Sequence, residues 1–399
     1  MQPEPFLVDI PQSQLDDLRT RLDQARLAPD FNNDDWAYGV DAGYLRELLE
    51  YWRSEYDWRA QEKAINAFPN FRVTIDDVPL HFIHVKGRGP NPMPLILSHG
   101  WPWCFWDYHE LIGPLSDPAA HGGDERDAFD VIVPSLPGFT FSSPLTVSGI
   151  NFWRTADLWR TLMRDVLGYE RFAAQGGDWG NLITGQLGHR YPDDLIGIHL
   201  TGAIPLGVLA DTKETALLGA RDTSPEVAER FPDLLNPGVI RPRPDTAHAT
   251  VQVLEPQTLA YAMHDSPLGL LAWILQRRYW WSDNDRGPRA VEQAFSKDHL
   301  LTVIMLYWLT DTFVTSVRYY AEVVKNPWRP DHDRRPVVQA PTAITFLDHD
   351  MTSQGRGWTA DYYNLRWTNR LQRGGHFAPA EVPQEIVQDI RDAFRDLRA

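Results

Sequence analysis

The stretch Tyr169-Glu170-Arg171-Phe172-Ala173-Ala174-Gln175-Gly176-Gly177-Asp178-Trp179-Gly180-Asn181-Leu182-Ile183-Thr184-Gly185 decides how the rest of the chain is read. Its first seven residues read as a short strand that runs into a tight turn. From Asn181 onward the pattern is that of the opening turns of a helix. Gly176 and Gly180, two before and two after Asp178, permit a sharp strand-to-helix turn that lifts the central side chain above a sheet. A carboxylate in that place attacks a carbon electrophile and forms an ester, where a serine would attack an ester to make an acyl-enzyme. One G-x-D-x-G is a weak pattern by itself, so the weight falls on its surroundings.

Those surroundings alternate between strand and helix. Leu95-Ile96-Leu97 and Val131-Ile132-Val133 are short apolar runs of the kind buried in a parallel sheet. Phe152 to Val166 reads as an amphipathic helix, and Leu195 to Leu200 as a further strand. The alternation predicts an α/β fold with a mostly parallel, doubly wound sheet. After Gly202-Ala203-Ile204-Pro205 the strands stop, and residues 206–325 read as mostly helical, with aromatic-rich pieces at Ala272 to Ser282 and Leu300 to Tyr320. Strands return at Thr342 to Leu347, and Glu385 to Leu397 closes the chain as a helix. A helical block between strands is most simply a lid over the carboxyl edge of the sheet, where ligands bind in this architecture.

At the other end, leucines at helical spacing between Ile10 and Leu22, a helix capped by Asp41, and a hairpin over 71–85 form a separate N-terminal segment. The predicted organisation is an N-terminal extension (1–88), a core in two parts (89–205 and 326–399) and a helical lid (206–325). Residues 241–244 and 328–336 read as solvated charged loops.

A net charge of -16 over 399 residues argues against nucleic acid and anionic membrane surfaces as partners. Cys104 is the only cysteine, which rules out an internal disulfide and a cysteine-based metal cluster. No apolar run approaches the ~18 residues of a membrane span. The acidic start, Met1-Gln2-Pro3-Glu4-Pro5, lacks a signal-peptide pattern, so the expectation is a soluble cytoplasmic protein without a membrane anchor.

Four features stand where chemistry would need them. His99-Gly100-Trp101-Pro102 follows a predicted strand and can turn backbone N–H groups towards the pocket. The N–H groups of Trp101 and of Trp179 would then form a two-donor oxyanion hole. His376, within Gly374-Gly375-His376-Phe377, comes late enough to give the order nucleophile, acid, histidine of the α/β-hydrolase fold. The acid is Asp348 or Asp350, since alternation along the preceding strand cannot choose between them. Tyrosines 261, 279, 307, 319 and 320 all lie in the lid, where a neutral phenol could donate a proton or a hydrogen bond. His81 and His84 fall on opposite faces of one strand, and Asp348-His349-Asp350 has no plausible third ligand nearby. No metal or other cofactor is expected.

Taken together, these residues resemble the microsomal-type epoxide hydrolases over nearly the whole chain. The N-terminal likeness runs through Tyr51-Trp52, Tyr56-Asp57-Trp58-Arg59 and His81-Phe82-Ile83-His84. In the core it runs through His99 to Pro102, Pro134 to Phe139, Gly176 to Gly180 and Gly374 to Phe377. In the lid it covers Pro256-Gln257-Thr258, Asp265 to Leu270 and Met305 to Trp308. The resemblance implies hydrolysis of an epoxide to a vicinal diol, with Asp178 as nucleophile and His376 as base. Matching through Trp358, it implies Asp350 as the orienting acid. Ser316 to Tyr320 matches the segment of one lid tyrosine, which falls on Tyr320. At the position of the family's second lid tyrosine, four residues before the Gln252 of Gln-x-x-x-Pro, this chain has His248, so either His248 takes that role or Tyr320 acts with another donor.

The familiar members are membrane-anchored, and this chain resembles their soluble bacterial relatives. Sixteen tryptophans suit a bulky or aromatic epoxide, met in detoxification or in secondary metabolism. The partners implied are the epoxide and water, with a homodimer left open. Two other readings compete. A haloalkane-type dehalogenase also uses an elbow aspartate, and a non-catalytic binding protein could keep the scaffold.

Overall fold

The computed structural model describes residues 2–33, 36–208, 247–353 and 356–398. The first part of the expected lid, including the 241–244 loop, lies outside them.

Among the described residues, nine strands form one sheet. They are β1 (Glu4–Phe6), β2 (Asn70–Ile75), β3 (Val78–Val85), β4 (Met93–Ser98), β5 (Phe129–Pro134), β6 (Phe172–Gly177), β7 (Leu195–Thr201), β8 (Val338–Leu347) and β9 (Tyr363–Leu371). The spatial order is β1-β2-β3-β5-β4-β6-β7-β8-β9. β1, β2, β3 and β5 pair antiparallel in sequence, and every pair from β5 to β9 is parallel. β5 and β6 are buried at every residue and β4 at all but one, as strands covered on both faces must be. The order reverses at β4, between β5 and β6, which opens a crevice at the carboxyl ends of β4 and β6. Ser98 is in register with Gly176, so the segments that leave these two strands start side by side.

The lid helices follow their local signals. Pro256 and Pro267 open the helices Pro256–Asp265 and Pro267–Trp281, and the Ser266 side chain caps the second by accepting from Gly269 N–H. The piece read from Leu300 to Tyr320 is two helices, Lys297–Trp308 and Phe313–Lys325. Between them Asp311 turns to φ +54°, and Thr310 accepts or donates at Thr312 across 2.8 Å. Hydroxyls that bond locally compete with the helix ladder there. The helix read as Phe152 to Val166 runs from Phe152 to Thr161 and continues as a single wider turn over Leu162–Val166.

The N-terminal extension braces the lid. Trp36 stacks on Tyr279 with centroids 3.9 Å apart, the Tyr51 hydroxyl donates to Asp298 at 2.9 Å, and Tyr56 meets Thr302 at 3.0 Å. Two details differ from the sequence reading. Residues 328–336 lack regular structure and expose their charged side chains, as read, apart from one anchor that was not: Trp328 is buried and donates to Gln186 at 2.8 Å, and Asp331 N–H donates to His189 at 2.9 Å. Strand β9 was not foreseen, because its residues alternate polar with apolar at the sheet edge and form no apolar run.

Candidate active site

Asp178 follows β6 and caps the start of the helix Trp179–Arg190, with φ +54° and ψ -123°. That conformation is costly for a residue with a Cβ, about 1–3 kcal/mol, and holds only where the surroundings enforce it. Close approach enforces it here. A Cβ on Gly180 would stand 1.8 Å from the Ser98 carbonyl oxygen, and one on Gly100 would stand 2.2 Å from Asp178 Oδ1. Both positions must be glycine for the β4 and β6 exits to touch.

The contact aims the carboxylate. Trp101 N–H donates to Asp178 Oδ1 at 2.8 Å, and His376 Nε2 lies 3.1 Å from Oδ2. His376 Nδ1 lies 2.9 Å from Asp350 Oδ1. Asp350 also accepts from Thr352 N–H at 3.1 Å and from the Thr352 hydroxyl. The structure thus brings Asp178, His376 and Asp350 into one line. It sends Asp348 outward, where it is exposed and accepts from Arg370 Nε at 2.6 Å. Trp179 is the first residue of its helix, so its N–H has no helical acceptor. Of the two expected oxyanion donors, the Trp101 N–H is the one on the carboxylate.

Burial opposes the His376 imidazolium, but the charges and hydrogen bonds of Asp350 and Asp178 outweigh it and push the pKa up to about 10. Burial also opposes the Asp350 carboxylate. The His376 charge and the Thr352 donors overcome that and hold Asp350 below the usual range.

The lid closes the site with one tyrosine and one histidine. The Tyr320 hydroxyl and His248 Nε2 are 3.3 Å apart. Trp101 stacks on the His248 ring at 5.2 Å and 9°, and meets Tyr320 edge-on at 5.8 Å. Burial and the Asp178 charge keep the Tyr320 hydroxyl protonated well above its ordinary range. The other lid tyrosines face elsewhere. Tyr319 meets Thr155 at 2.8 Å, Tyr307 donates to the Trp103 carbonyl at 2.6 Å, Tyr279 donates to the Arg286 carbonyl, and Tyr261 is exposed.

Three groups support the site: His99, known from the sequence only as part of its motif, and Glu381 and Arg278, which escaped it. His99 donates from Nδ1 to the Gly100 carbonyl at 2.9 Å and accepts the Leu136 N–H on Nε2 at 3.0 Å, which pins the Trp101 loop. Burial lowers its pKa to about 4 and keeps it neutral. Glu381 accepts from the N–H groups of Gly375, Phe377 and Asp283 at 2.9, 2.8 and 2.7 Å, and so clasps the His376 loop. Its burial pushes the carboxyl up to about 7. Arg278 makes a buried fork to Asp107 at 2.7 and 3.0 Å and also donates to the Pro102 carbonyl at 3.1 Å. The fold adds the distant partners, Leu136 for His99, Asp283 for Glu381 and Asp107 for Arg278.

An aspartate elbow facing a histidine and a second carboxylate on a mostly parallel sheet defines a member of the α/β-hydrolase class. The model of that fold matches residues 93–322, and the model described as the epoxide hydrolase N terminus matches residues 3–108. The chain belongs to the epoxide hydrolase family. It is 33% identical to epoxide hydrolase 1 of Oryctolagus cuniculus over 97% of this chain and 87% of that protein. A Stigmatella aurantiaca protein provisionally named an epoxide hydrolase is 39% identical, over 99% of this chain and 85% of its own length. The crystal structure of juvenile hormone epoxide hydrolase from Bombyx mori superposes with a TM-score of 0.84 at 27% identity, covering 99% of this chain and 95% of that one. Among the described residues, no single helix is long and apolar enough to cross a membrane.

Proposed function

We propose that this epoxide hydrolase works through a covalent aspartyl ester. Asp178 Oδ2 attacks an epoxide carbon, the C–O bond breaks, and the ring oxygen takes the electron pair beside Tyr320 and His248. His376, oriented by Asp350, then takes a proton from the water that attacks the ester carbonyl. The negative charge of that second step gathers on the oxygen that faces Trp101 N–H. The observation that carries this reading is the split environment of one carboxylate, with Oδ1 2.8 Å from the Trp101 amide nitrogen and Oδ2 3.1 Å from His376 Nε2. Trp101, Trp179 and Trp281 around Tyr320 and His248 support a bulky or aromatic epoxide as substrate.

A single turnover in oxygen-18 water tests the covalent route. The diol leaves unlabelled, because its new oxygen comes from Asp178, and the label enters the Asp178 peptide. Label in the first diol would rule the ester out. His248 as second donor has its own test. His248→Ala should slow alkylation and His248→Tyr should keep much of the rate, while normal alkylation in His248→Ala removes His248 from the mechanism.

A further inference from the structure

The lid carries a cation that the steps above do not use. Arg277, on the helix Pro267–Trp281, is 8% exposed. Its Nη1 donates to the Trp273 carbonyl at 2.9 Å, and its guanidinium lies 3.8 Å from the Trp273 ring centroid. Nε has no acceptor, and no carboxylate among the described residues pairs with it. The next residue, Arg278, is 1% exposed and also has a free Nε, but both of its Nη groups donate to the Asp107 carboxylate, so its charge is paired. A buried charge without a counter-charge is strongly unfavourable, so an unpaired arginine beside a matched one calls for a reason.

Its placement supplies one. Trp281 lies one helical turn beyond Arg277 on the same face, and its ring stands 4.7 Å from His248 and 5.2 Å from His376. Arg277 therefore sits on the face of the lid that covers the site. Burial lowers its pKa to about 10, which leaves it charged at neutral pH, and the group that couples to it electrostatically is Tyr320. The coupling is mutual: Arg277 draws the Tyr320 hydroxyl down against burial and Asp178.

We infer that Arg277 is an electrostatic positioning residue for ring opening, its unpaired charge favouring the negative charge that reaches the epoxide oxygen beside Tyr320. The inference rests on the proposed ester route, and charge bookkeeping along that route makes it specific. Before attack the mobile negative charge sits on Asp178. As the Asp178 O–C bond forms and the epoxide C–O bond breaks, that charge passes to the ring oxygen under the lid. It moves from the elbow towards Arg277, and a proton from Tyr320 or His248 then neutralises the alkoxide. In the second step the charge develops on the Asp178 carbonyl oxygen, at Trp101 N–H and away from Arg277. A fixed charge that is better placed for the transition state than for the ground state accelerates only the step in which charge approaches it.

The experiment compares Arg277→Met and Arg277→Lys with the parent in single turnovers that resolve alkylation from ester hydrolysis. Arg277→Met should slow alkylation by about tenfold or more, an effect typical of losing one preorganised charge. Ester hydrolysis should stay within about twofold on the same argument. Its melting temperature should hold or rise, because an unpaired buried cation has been removed. Arg277→Lys should restore part of the alkylation rate. Parallel loss of both steps with a lower melting temperature would mean that Arg277 is merely structural and overturns the inference. Weaker epoxide binding at an unchanged alkylation rate also overturns it, since Arg277 would then recognise a group on the substrate. Repeating the comparison in a His376→Gln background separates this inference from the reading beneath it. Absence of any adduct with Arg277 intact defeats the ester route, whereas adduct formation at equal rates with and without Arg277 defeats only the role of Arg277.

Discussion

Replacing His376 with glutamine should divide the proposed reaction at its midpoint. The glutamine amide can still donate towards Asp178 Oδ2, where Nε2 now stands 3.1 Å away, but it carries no basic nitrogen. Asp178 keeps the Trp101 N–H at 2.8 Å, and Tyr320 and His248 are untouched, so ring opening retains every group assigned to it. Ester hydrolysis loses its general base, a contribution of about 10²–10⁴-fold. Stability also changes, because Asp350 is 4% exposed and loses its cation. Breaking a buried pair from one side costs about 3–5 kcal/mol. The two Thr352 donors remain and keep the loss towards the lower end. The double variant His376→Gln/Asp350→Asn removes both charges and should recover most of the melting temperature. After mixing with excess epoxide and an acid quench, intact mass should show one substrate added to nearly every His376→Gln chain, on the peptide that contains Asp178. A folded His376→Gln that consumes no epoxide and carries no adduct refutes the scheme.

Other expectations follow from the same geometry. Asp350→Asn should depress ester hydrolysis by leaving the imidazole wrongly oriented, while Asp348→Asn, whose carboxylate pairs with Arg370 and not with His376, should turn over near the parent rate; the reverse pattern in steady-state assays would show the acid to be misassigned. Esterification removes the Asp178 charge and weakens one of the influences that hold His376 near 10, so hydrolysis of the preformed ester should rise with pH through a midpoint below 10. The fold responds in the opposite sense. The folded pKa lies above the ordinary 6.5, so the stabilisation from this imidazolium is full below pH 6.5 and is lost as pH rises through about 10. The melting-temperature gap between parent and His376→Gln should narrow over that range, and a constant gap counts against the assignment. Glu381→Gln places an NH₂ against backbone N–H groups, strands at least one of them at about 1–3 kcal/mol, and should lower both the melting temperature and the hydrolysis step; an unchanged hydrolysis rate would show that the clasp does not position His376.

What the chain discloses before folding divides along a physical line. The elbow is legible because the turn needs glycines at 176 and 180, and the core strands are legible because burial on both faces leaves apolar runs. β9 is hidden because it lies at an edge and alternates polar with apolar. Asp348 and Asp350 look alike in sequence, since the difference is made by Thr352 and His376 on one side and Arg370 on the other. Five lid tyrosines look alike for the same reason, and only tertiary packing turns Tyr320 to the site and gives the others to Thr155, Trp103, Arg286 and solvent. Arg278 bears no local mark, because its partners belong to another segment, and Glu381 accepts from nearby Gly375 and Phe377 but is closed into a clasp by the distant Asp283.

The raised pKa of His376 separates this site from a serine-based one on the same scaffold. A serine must give up its proton to the histidine before it can attack, so an imidazole held charged at neutral pH would stop such an enzyme at the first step. A carboxylate is ionised already. In the proposed route His376 can rest as an imidazolium between Asp178 and Asp350, both within 3.1 Å, without impeding ring opening. The attack itself then changes the histidine. Once Asp178 is an ester, one of the two carboxylates that held the proton is gone, while the burial that disfavours the charged ring remains. The proton is released more easily at the moment a base is needed. Nucleophile and base are thereby sequenced by charge, and the order of the two steps follows from which carboxylate is consumed.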